Sequence, residues 1–162
     1  MHLSSQEEYG LRCLLRLASQ DTTEGAAPVR IQDIAVSEGL SQEYVAKLMR
    51  LLRNGELVTS TRGASGGYHL ARSATEITIW DVIEVLGGTF FPASFCETHP
   101  GSLRDCVHST NCSIRALWRN VGGLLETALS NVTLEDLLRG EQQTFNWLSQ
   151  SNGDPLSGER QQ

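Results

Sequence analysis

The 162-residue sequence has no hydrophobic run long enough to cross a membrane, and no apolar segment follows basic residues at its N-terminus. A membrane-spanning helix needs about 20 consecutive apolar residues, and a secretory signal needs a charged start before an apolar stretch. We therefore expect no membrane partner and a cytoplasmic location.

Motifs of the common enzyme classes are also lacking. No nucleophile and base occur at a recognisable spacing, and the glycines within 63–67 are not followed by the Lys-Ser or Lys-Thr pair of a phosphate-binding P-loop. We expect that the chain is not an enzyme, and no internal repeat is visible.

Positive charge is scarce, with 13 lysines and arginines against 19 aspartates and glutamates and a net charge of -6. Residues 41–72 depart from this average, because five basic residues stand there against two acidic ones, which gives a local charge of +3. Such asymmetry suits a protein that presents one face to phosphate and keeps the remainder acidic.

The segment 41–70 carries the strongest local pattern. Ser41 is a helix-capping residue, and apolar residues then recur at helical spacing, which predicts a helix over 42–53. Asn54-Gly55 can supply positive φ at its end. Two strand-like runs, 57–60 and 68–70, flank a glycine-rich reversal that contains Arg62 and predict a hairpin.

Other helices are predicted on both sides of this segment. A Ser-x-x-Glu pattern opens a helix that ends near Ser19, a short helix ends at Gly39, and Thr78 caps a helix that Gly87-Gly88 closes. Trp80 is expected in the core. A long amphipathic helix follows residue 112, with Gly122-Gly123 in its middle, and a short helix starts after Thr133. The chain beyond Leu148 is expected to be disordered.

The fold class that follows is mainly α with a small β-wing: a winged helix-turn-helix and a long dimerisation helix. A polar helix face fits the DNA major groove, and an arginine at the tip of a ribbon suits the narrow minor groove. The predicted DNA-binding residues are Ser41, Gln42, Glu43, Tyr44, Lys47 and Arg50 for the major groove and Arg62 for the minor groove.

The runs LLRNGELVTSTRGASGGYHLA and ITIWDVIEVLGG resemble the Rrf2 family of bacterial winged-helix regulators, which includes the IscR and NsrR iron-sulfur sensors. The resemblance extends from Met1 to about Leu138 and is most specific over 57–71. It implies a homodimer that binds a pseudo-palindromic double-stranded DNA operator. It divides the chain into a DNA-binding domain (1–88), a cysteine-bearing loop (89–112), a dimerisation region (113–140) and a C-terminal tail (141–162).

Three cysteines, Cys96, Cys106 and Cys112, precede the long helix, and the last falls at its start, where backbone N–H groups favour a thiolate. Thiolates bind iron-sulfur clusters or zinc. The family's sensors hold a cluster with three cysteines in this loop, so the resemblance implies the same here, with 2Fe-2S favoured over 4Fe-4S. The interval between Cys96 and Cys106 is about four residues longer than the family's.

A fourth ligand remains to be assigned. IscR-like members use a histidine three residues after the last cysteine, but Arg115 stands there. The NsrR-like pattern uses a carboxylate near the start of the first helix, which reaches the cluster of the other subunit, and Glu8 matches it. His99 and His108 are alternatives, and Glu8 could instead form a capping box with Ser5.

The sequence leaves three functional readings open. In the first, the chain is a DNA-binding regulator that senses redox state, nitric oxide or iron-sulfur status through the cluster. In the second, the loop holds a structural zinc ion. In the third, no metal is bound and a protein partner controls DNA binding. Cys13 is predicted to be a core residue, and the sequence suggests no partner for His2 or His69.

Overall fold

A computed structural model describes residues 4–20, 27–63, 66–88, 90–92 and 94–151. Within these residues the order of elements is α1 (Ser5–Ala18), α2 (Ile31–Glu38), α3 (Gln42–Asn54), β1 (Val58–Thr61), β2 (Gly67–Leu70), α4 (Ile79–Gly87), α5 (Phe95–Thr98), α6 (Ser113–Ser130), α7 (Leu134–Leu137) and α8 (Glu141–Ser151). The fold is mostly helical with one two-stranded antiparallel sheet, as predicted. None of the described helices is long and apolar enough to cross a membrane.

The core lies where α1 packs against α2, α3 and α4. Its fully buried side chains include Leu14, Leu17, Ile34, Leu48, Met49, Leu52, Leu57, Ile77, Val82 and Leu134. Helical spacing places most of these residues on one stripe of each helix, so that each helix keeps a polar face towards solvent. Cys13 is fully buried in this core, which confirms its prediction.

The helix starts follow the capping rules. Thr78 and Thr133 each accept a hydrogen bond from the third helical residue and form a reciprocal capping box. In α1 the box joins Ser4 and Glu7, with the Ser4 N–H 2.7 Å from a carboxylate oxygen of Glu7. The alternative box between Ser5 and Glu8 is therefore wrong, and Glu8 is exposed.

Two expectations about single residues are corrected. The residue with positive φ after α3 is Glu56, at 58°, whereas Gly55 has a φ of -87°. Gly55 is needed because a Cβ atom there would lie 2.3 Å from a Cγ atom of Val85. Trp80 is half-buried and lies outside the core cluster, because it is the second residue of α4 and faces away from the buried Val82.

Two helices were not predicted. The single turn α5 lies within the cysteine loop, and α8 occupies the start of the tail and extends past Leu148. Trp147 and Leu148 pack against the core cluster, which explains why this part of the tail is ordered. The rest of the tail, 152–162, lies outside the described residues.

Candidate DNA interface and cysteine loop

The helix-turn-helix is formed by α2 and α3. Gly39 ends α2 in the left-handed conformation, with φ 66°, which allows the sharp turn into α3. The Ser41 side chain accepts a hydrogen bond from the Tyr44 N–H at 3.2 Å and starts α3. The two helices therefore meet through a short, fixed corner, as a helix-turn-helix requires.

The outer face of α3 carries the predicted DNA-binding side chains. Those that are exposed are Ser41, Gln42, Glu43, Lys47 and Arg50, whereas Val45, Leu48, Met49 and Leu52 on the opposite face are buried. Tyr44 differs from the exposed set because its ring is half-buried and meets the edge of Tyr9 in α1, with centroids 6.0 Å apart. The core-facing stripe thus holds α3 so that its polar row points outwards.

The wing follows α3 directly. Strands β1 and β2 pair in the register Val58↔Leu70, Thr59↔His69, Ser60↔Tyr68 and Thr61↔Gly67. Val58 and Leu70 are buried and attach the ribbon to the core. Arg62 is exposed at the tip, beside Gly63 with φ 113°. The tip residues 64 and 65 lie outside the described residues.

Two further residues lie near this surface, although no sequence pattern indicated it. Arg30 precedes α2 in the chain but lines a pocket with Arg62 and His69 along the edge of the wing. Val36 is 78% exposed on α2 and lines another pocket beside Gln42 and Glu43. An exposed apolar side chain next to a recognition helix can contact a thymine methyl group. Only the folded arrangement brings these residues to the surface of α3 and the wing.

The cysteine loop brings some of its predicted ligands together. Cys96 and Cys106 line one pocket of about 380 Å³, and the other lining residues are Glu97, Arg104, Asp105, Ser109, Arg115 and Arg119. Cys112 is the N-cap of α6, and its Sγ atom accepts a hydrogen bond from the Arg115 N–H at 3.3 Å. All three thiols are free and half-buried.

The structure does not assemble a complete ligand set within the single chain. Among the described residues, no three His, Cys, Asp or Glu side chains are close enough to hold one metal ion. Glu8 lies on α1 and is not one of the residues that line the pocket with Cys96 and Cys106. His99 stacks on Phe95, with centroids 4.3 Å apart, and its Nδ1 atom lies 3.1 Å from the Phe95 carbonyl oxygen.

Arg115 supports the loop as well as the helix start. Both terminal nitrogens of its guanidinium donate to the Ser109 carbonyl oxygen at 3.1 Å. Since Ser109 lies between Cys106 and Cys112, this contact ties the second half of the loop to the first turn of α6. The arginine three residues after Cys112 therefore positions the backbone of the loop.

A helix-turn-helix followed by a wing, with a polar row on its second helix, defines a winged-helix protein of the transcription-regulator class. Residues 3–140 match the Rrf2 family, whose description is "Iron-dependent Transcriptional regulator". The chain belongs to this family of transcriptional regulators, whose members are not enzymes.

Three relatives illustrate the match. The protein rrf2 of Nitratidesulfovibrio vulgaris is 36% identical over 139 residues, which cover 86% of this chain and 88% of that protein. The structure of CymR, the global cysteine regulator of B. subtilis, superposes with a TM-score of 0.65 at 33% identity and covers 85% of this chain and 96% of that one. The structure of T. potens IscR gives a TM-score of 0.64 at 33% identity and covers 85% and 86%.

Proposed function

We propose that the chain is a homodimeric regulator that places α3 in the DNA major groove and Arg62 in the adjacent minor groove. The observation that carries this proposal is the polar row on α3, which the buried stripe of the same helix turns away from the core beside the wing. Lys47 and Arg50 would donate to guanine acceptors or phosphates, and Gln42 could bind adenine. Glu43 would accept from cytosine and repel misplaced phosphate.

Selection from a random duplex library, followed by footprinting, tests the DNA proposal. We expect a pseudo-palindromic site whose half-sites are separated by about one helical turn or a multiple of it. Lys47→Ala and Arg62→Ala should weaken binding to that site at least tenfold, whereas Arg139→Gln, at an exposed arginine that pairs with Asp136, should not. Equal binding by all three variants would contradict this assignment.

We attribute the formation of the homodimer to α6. No residue of α6 is fully buried in the single chain, and Ile114, Leu117 and Leu124 are 63%, 54% and 64% exposed. Apolar side chains in a continuous row on one helix are stabilised when a second apolar surface covers them. A second copy of α6 supplies such a surface and relates the two recognition helices by symmetry.

The cysteine loop is proposed to hold an iron-sulfur cluster through Cys96, Cys106 and Cys112. The residue types suit such a group, because the loop carries three free thiols and two of them, Cys96 and Cys106, line a pocket whose wall carries three arginines against two carboxylates. When bound, the cluster would supply sensitivity to oxidation, nitric oxide or iron supply, with 2Fe-2S favoured over 4Fe-4S.

Glu8 is the proposed fourth ligand, contributed by the partner subunit. The capping box uses Glu7, so the exposed Glu8 carboxylate remains available on the first turn of α1. His99 is the first alternative, because an Nδ1–H that donates to the Phe95 carbonyl would leave the Nε2 lone pair for a metal. His108, which is exposed, is the second.

Two other readings of the loop are kept as alternatives. A zinc ion could be held by the same cysteines as a structural site. In the other, no metal is bound and a protein partner controls DNA binding; the chain is also similar to CymR, the global cysteine regulator of B. subtilis. Both leave the DNA-binding dimer intact.

Anaerobic purification separates the three readings. A coloured protein that absorbs near 400 nm, roughly as iron-thiolate centres do, and that contains iron and sulfide would support the cluster. Zinc in a colourless protein would support the structural site. A protein that stays colourless and metal-free after reconstitution with iron and sulfide would overturn ligation altogether.

A further inference from the structure

A short segment before α2 lies against the wing. The Val29 N–H donates to the Tyr68 carbonyl at 3.0 Å, and the Tyr68 N–H donates to the Val29 carbonyl at 2.9 Å. This antiparallel bridge places residue 29 on the free side of β2, so that the wing has a third chain along its edge. Gly67 permits the crossing, since a Cβ atom there would lie 2.6 Å from the Val29 carbonyl oxygen.

Strand alternation decides which side chains share the outer face of the wing. The pair Val58↔Leu70 is buried, so the next pair, Thr59↔His69, lies on the opposite face. Tyr68 and Val29 both pack against the core, which puts the residue after Val29, Arg30, on the same outer side as His69. Arg30 and His69, 39 positions apart in sequence, thus come to one surface.

These side chains line a pocket of about 480 Å³ along the edge of the wing, formed by Ala27, Pro28, Arg30, Thr61, Arg62 and His69. Arg30, Thr61 and Arg62 are exposed and His69 is half-buried. Among the described residues that line it, two carry a permanent positive charge, His69 offers a ring N–H, and none is acidic. Guanidinium groups, a hydroxyl and an imidazole N–H are the donors that bind phosphate oxygens in protein–DNA contacts.

We propose that Arg30, His69 and Thr61 form a binding site for a backbone phosphate of duplex DNA, beside the groove that Arg62 enters. The site rests on the proposed DNA-binding function, and its Arg30 adds a contact from outside α3 and the wing hairpin. Because Arg62 lines the pocket and also extends from the wing tip, a strand that borders its groove would pass over the pocket. A phosphate contact of this kind fixes position and affinity and carries no sequence information.

Salt dependence of binding provides the test, because each phosphate neutralised by a cation contributes a slope of about -0.9 in log K against log salt. The probes are two fluorescent duplexes of equal length and different sequence, titrated with the full chain at several salt concentrations. We expect Arg30→Gln to make the slope shallower by about one unit on both duplexes, and Arg30→Lys to restore it. His69→Ala should weaken binding to both duplexes by a similar factor of about three to tenfold.

Arg139→Gln is the matched charge control, since Arg139 is exposed and pairs with Asp136 far along the chain. Circular dichroism of each variant checks that the fold is kept. Unchanged slope and affinity for both Arg30→Gln and His69→Ala, with Lys47→Ala still weakening binding, would overturn the phosphate site and leave the proposed function standing. A wild-type chain that binds neither duplex nor any selected site would overturn both.

The same donors could instead hold a free phosphate ion. Calorimetric titration with inorganic phosphate distinguishes the two sources. Phosphate binding that disappears in Arg30→Gln, together with an unchanged DNA slope, would identify a small-anion site and overturn the DNA assignment.

Discussion

Glu7 and Glu8 are adjacent at the start of α1 but have different surroundings. Glu7 accepts the Ser4 N–H and lies so close to Gly87 that a Cβ atom there would clash with its carboxylate. Gln6 next to it donates to the Leu86 carbonyl. The first turn of α1 is thereby joined to the end of α4, and the exposed Glu8 extends from this fixed turn.

This difference gives a matched pair of variants. Glu7→Ala should lower the free energy of unfolding of the metal-free chain by about 1 kcal/mol, because it removes half of the capping box. Glu8→Ala should leave that stability unchanged and should reduce iron and sulfide content after anaerobic reconstitution. Denaturant unfolding and metal analysis measure the two effects. A Glu8→Ala protein with the wild-type spectrum and metal content would remove Glu8 from the ligand set.

Cys13 is chemically distinct from the other three cysteines. Burial, with a smaller contribution from the Glu38 carboxylate, raises its pKa from the ordinary value of 9.0 to about 12. The thiolate is the reactive form of cysteine, so Cys13 should be inert at neutral pH while the folded state persists. Because the folded pKa is the higher one, the stability that the protonated thiol contributes is present below pH 9.0 and is lost as pH rises towards about 12.

Thiol counting tests this assignment. In metal-free, reduced protein at neutral pH, a thiol reagent should modify Cys96, Cys106 and Cys112 and should reach Cys13 only after denaturation. Mass spectrometry of peptides assigns each modified residue. Modification of Cys13 at the rate of the loop cysteines in folded protein would contradict its burial.

Helices α1 and α3 both approach α4 closely, and a glycine lies at each of the two contacts. A Cβ atom on Gly10 would meet the end of the Leu86 side chain, and one on Gly55 would lie 2.3 Å from a Cγ atom of Val85. Val85 is β-branched and has few rotamers, so it adapts less readily than Leu86. The junction between α3 and α4 is therefore the less tolerant of the two.

Two glycine substitutions should have opposite effects on stability. Gly55→Ala should destabilise the chain by about 1–3 kcal/mol, because the added methyl group overfills the contact with Val85. Gly123→Ala, in α6 with open space around it in the single chain, should stabilise an isolated chain by up to about 1 kcal/mol through helix propensity. Thermal and denaturant unfolding of both variants provide the comparison.

Gly123→Ala also tests whether the two copies of α6 approach closely in the dimer. If a second α6 approaches closely at Gly123, the added methyl group would weaken the dimer while favouring the helix. A concentration-dependent loss of stability in Gly123→Ala would indicate that close approach, and a uniform gain at all concentrations would exclude it.

For the whole molecule, the largest consequence comes from α6, which presents an apolar surface that the described part of the chain does not cover. Val121, Leu125, Ala128 and Leu129 of α6 are half-buried, whereas Ile114, Leu117 and Leu124 are exposed. The helix thus packs on α4 with one side only. We propose that two copies of the chain dimerise through the exposed side of α6. The dimer would place the two recognition helices on one DNA site.

Leu124→Glu should convert the dimer to a monomer, since it puts a charge into the row that the second copy would cover. Sedimentation equilibrium should then give half the wild-type mass, and operator affinity should fall by at least tenfold because one half-site contact is lost. Glu126→Gln, on the other side of α6, serves as the control for a change of charge. A monomeric wild-type chain would refute the dimer, and a dimeric Leu124→Glu chain would exclude Leu124 from its interface.

Local pattern was enough to predict the helix-turn-helix, the wing, α4 and α6. Caps at Ser41, Thr78 and Thr133 and the helical spacing of apolar residues depend only on neighbours in sequence. The same reasoning gave the wrong cause for Gly55 and too deep a burial for Trp80. Both errors concern contacts with another element, which a pattern along one helix cannot contain.

Sequence alone therefore determined the family, the polar row on α3, the arginine of the wing and the three cysteines before α6, because each depends on residue type and short-range spacing. Tertiary structure alone decided that Arg30 lies beside His69, that Cys96 and Cys106 share a pocket, and that α6 keeps an uncovered apolar row. These features depend on backbone pairing and packing between residues far apart in the chain. Their positions follow only when the whole core has formed.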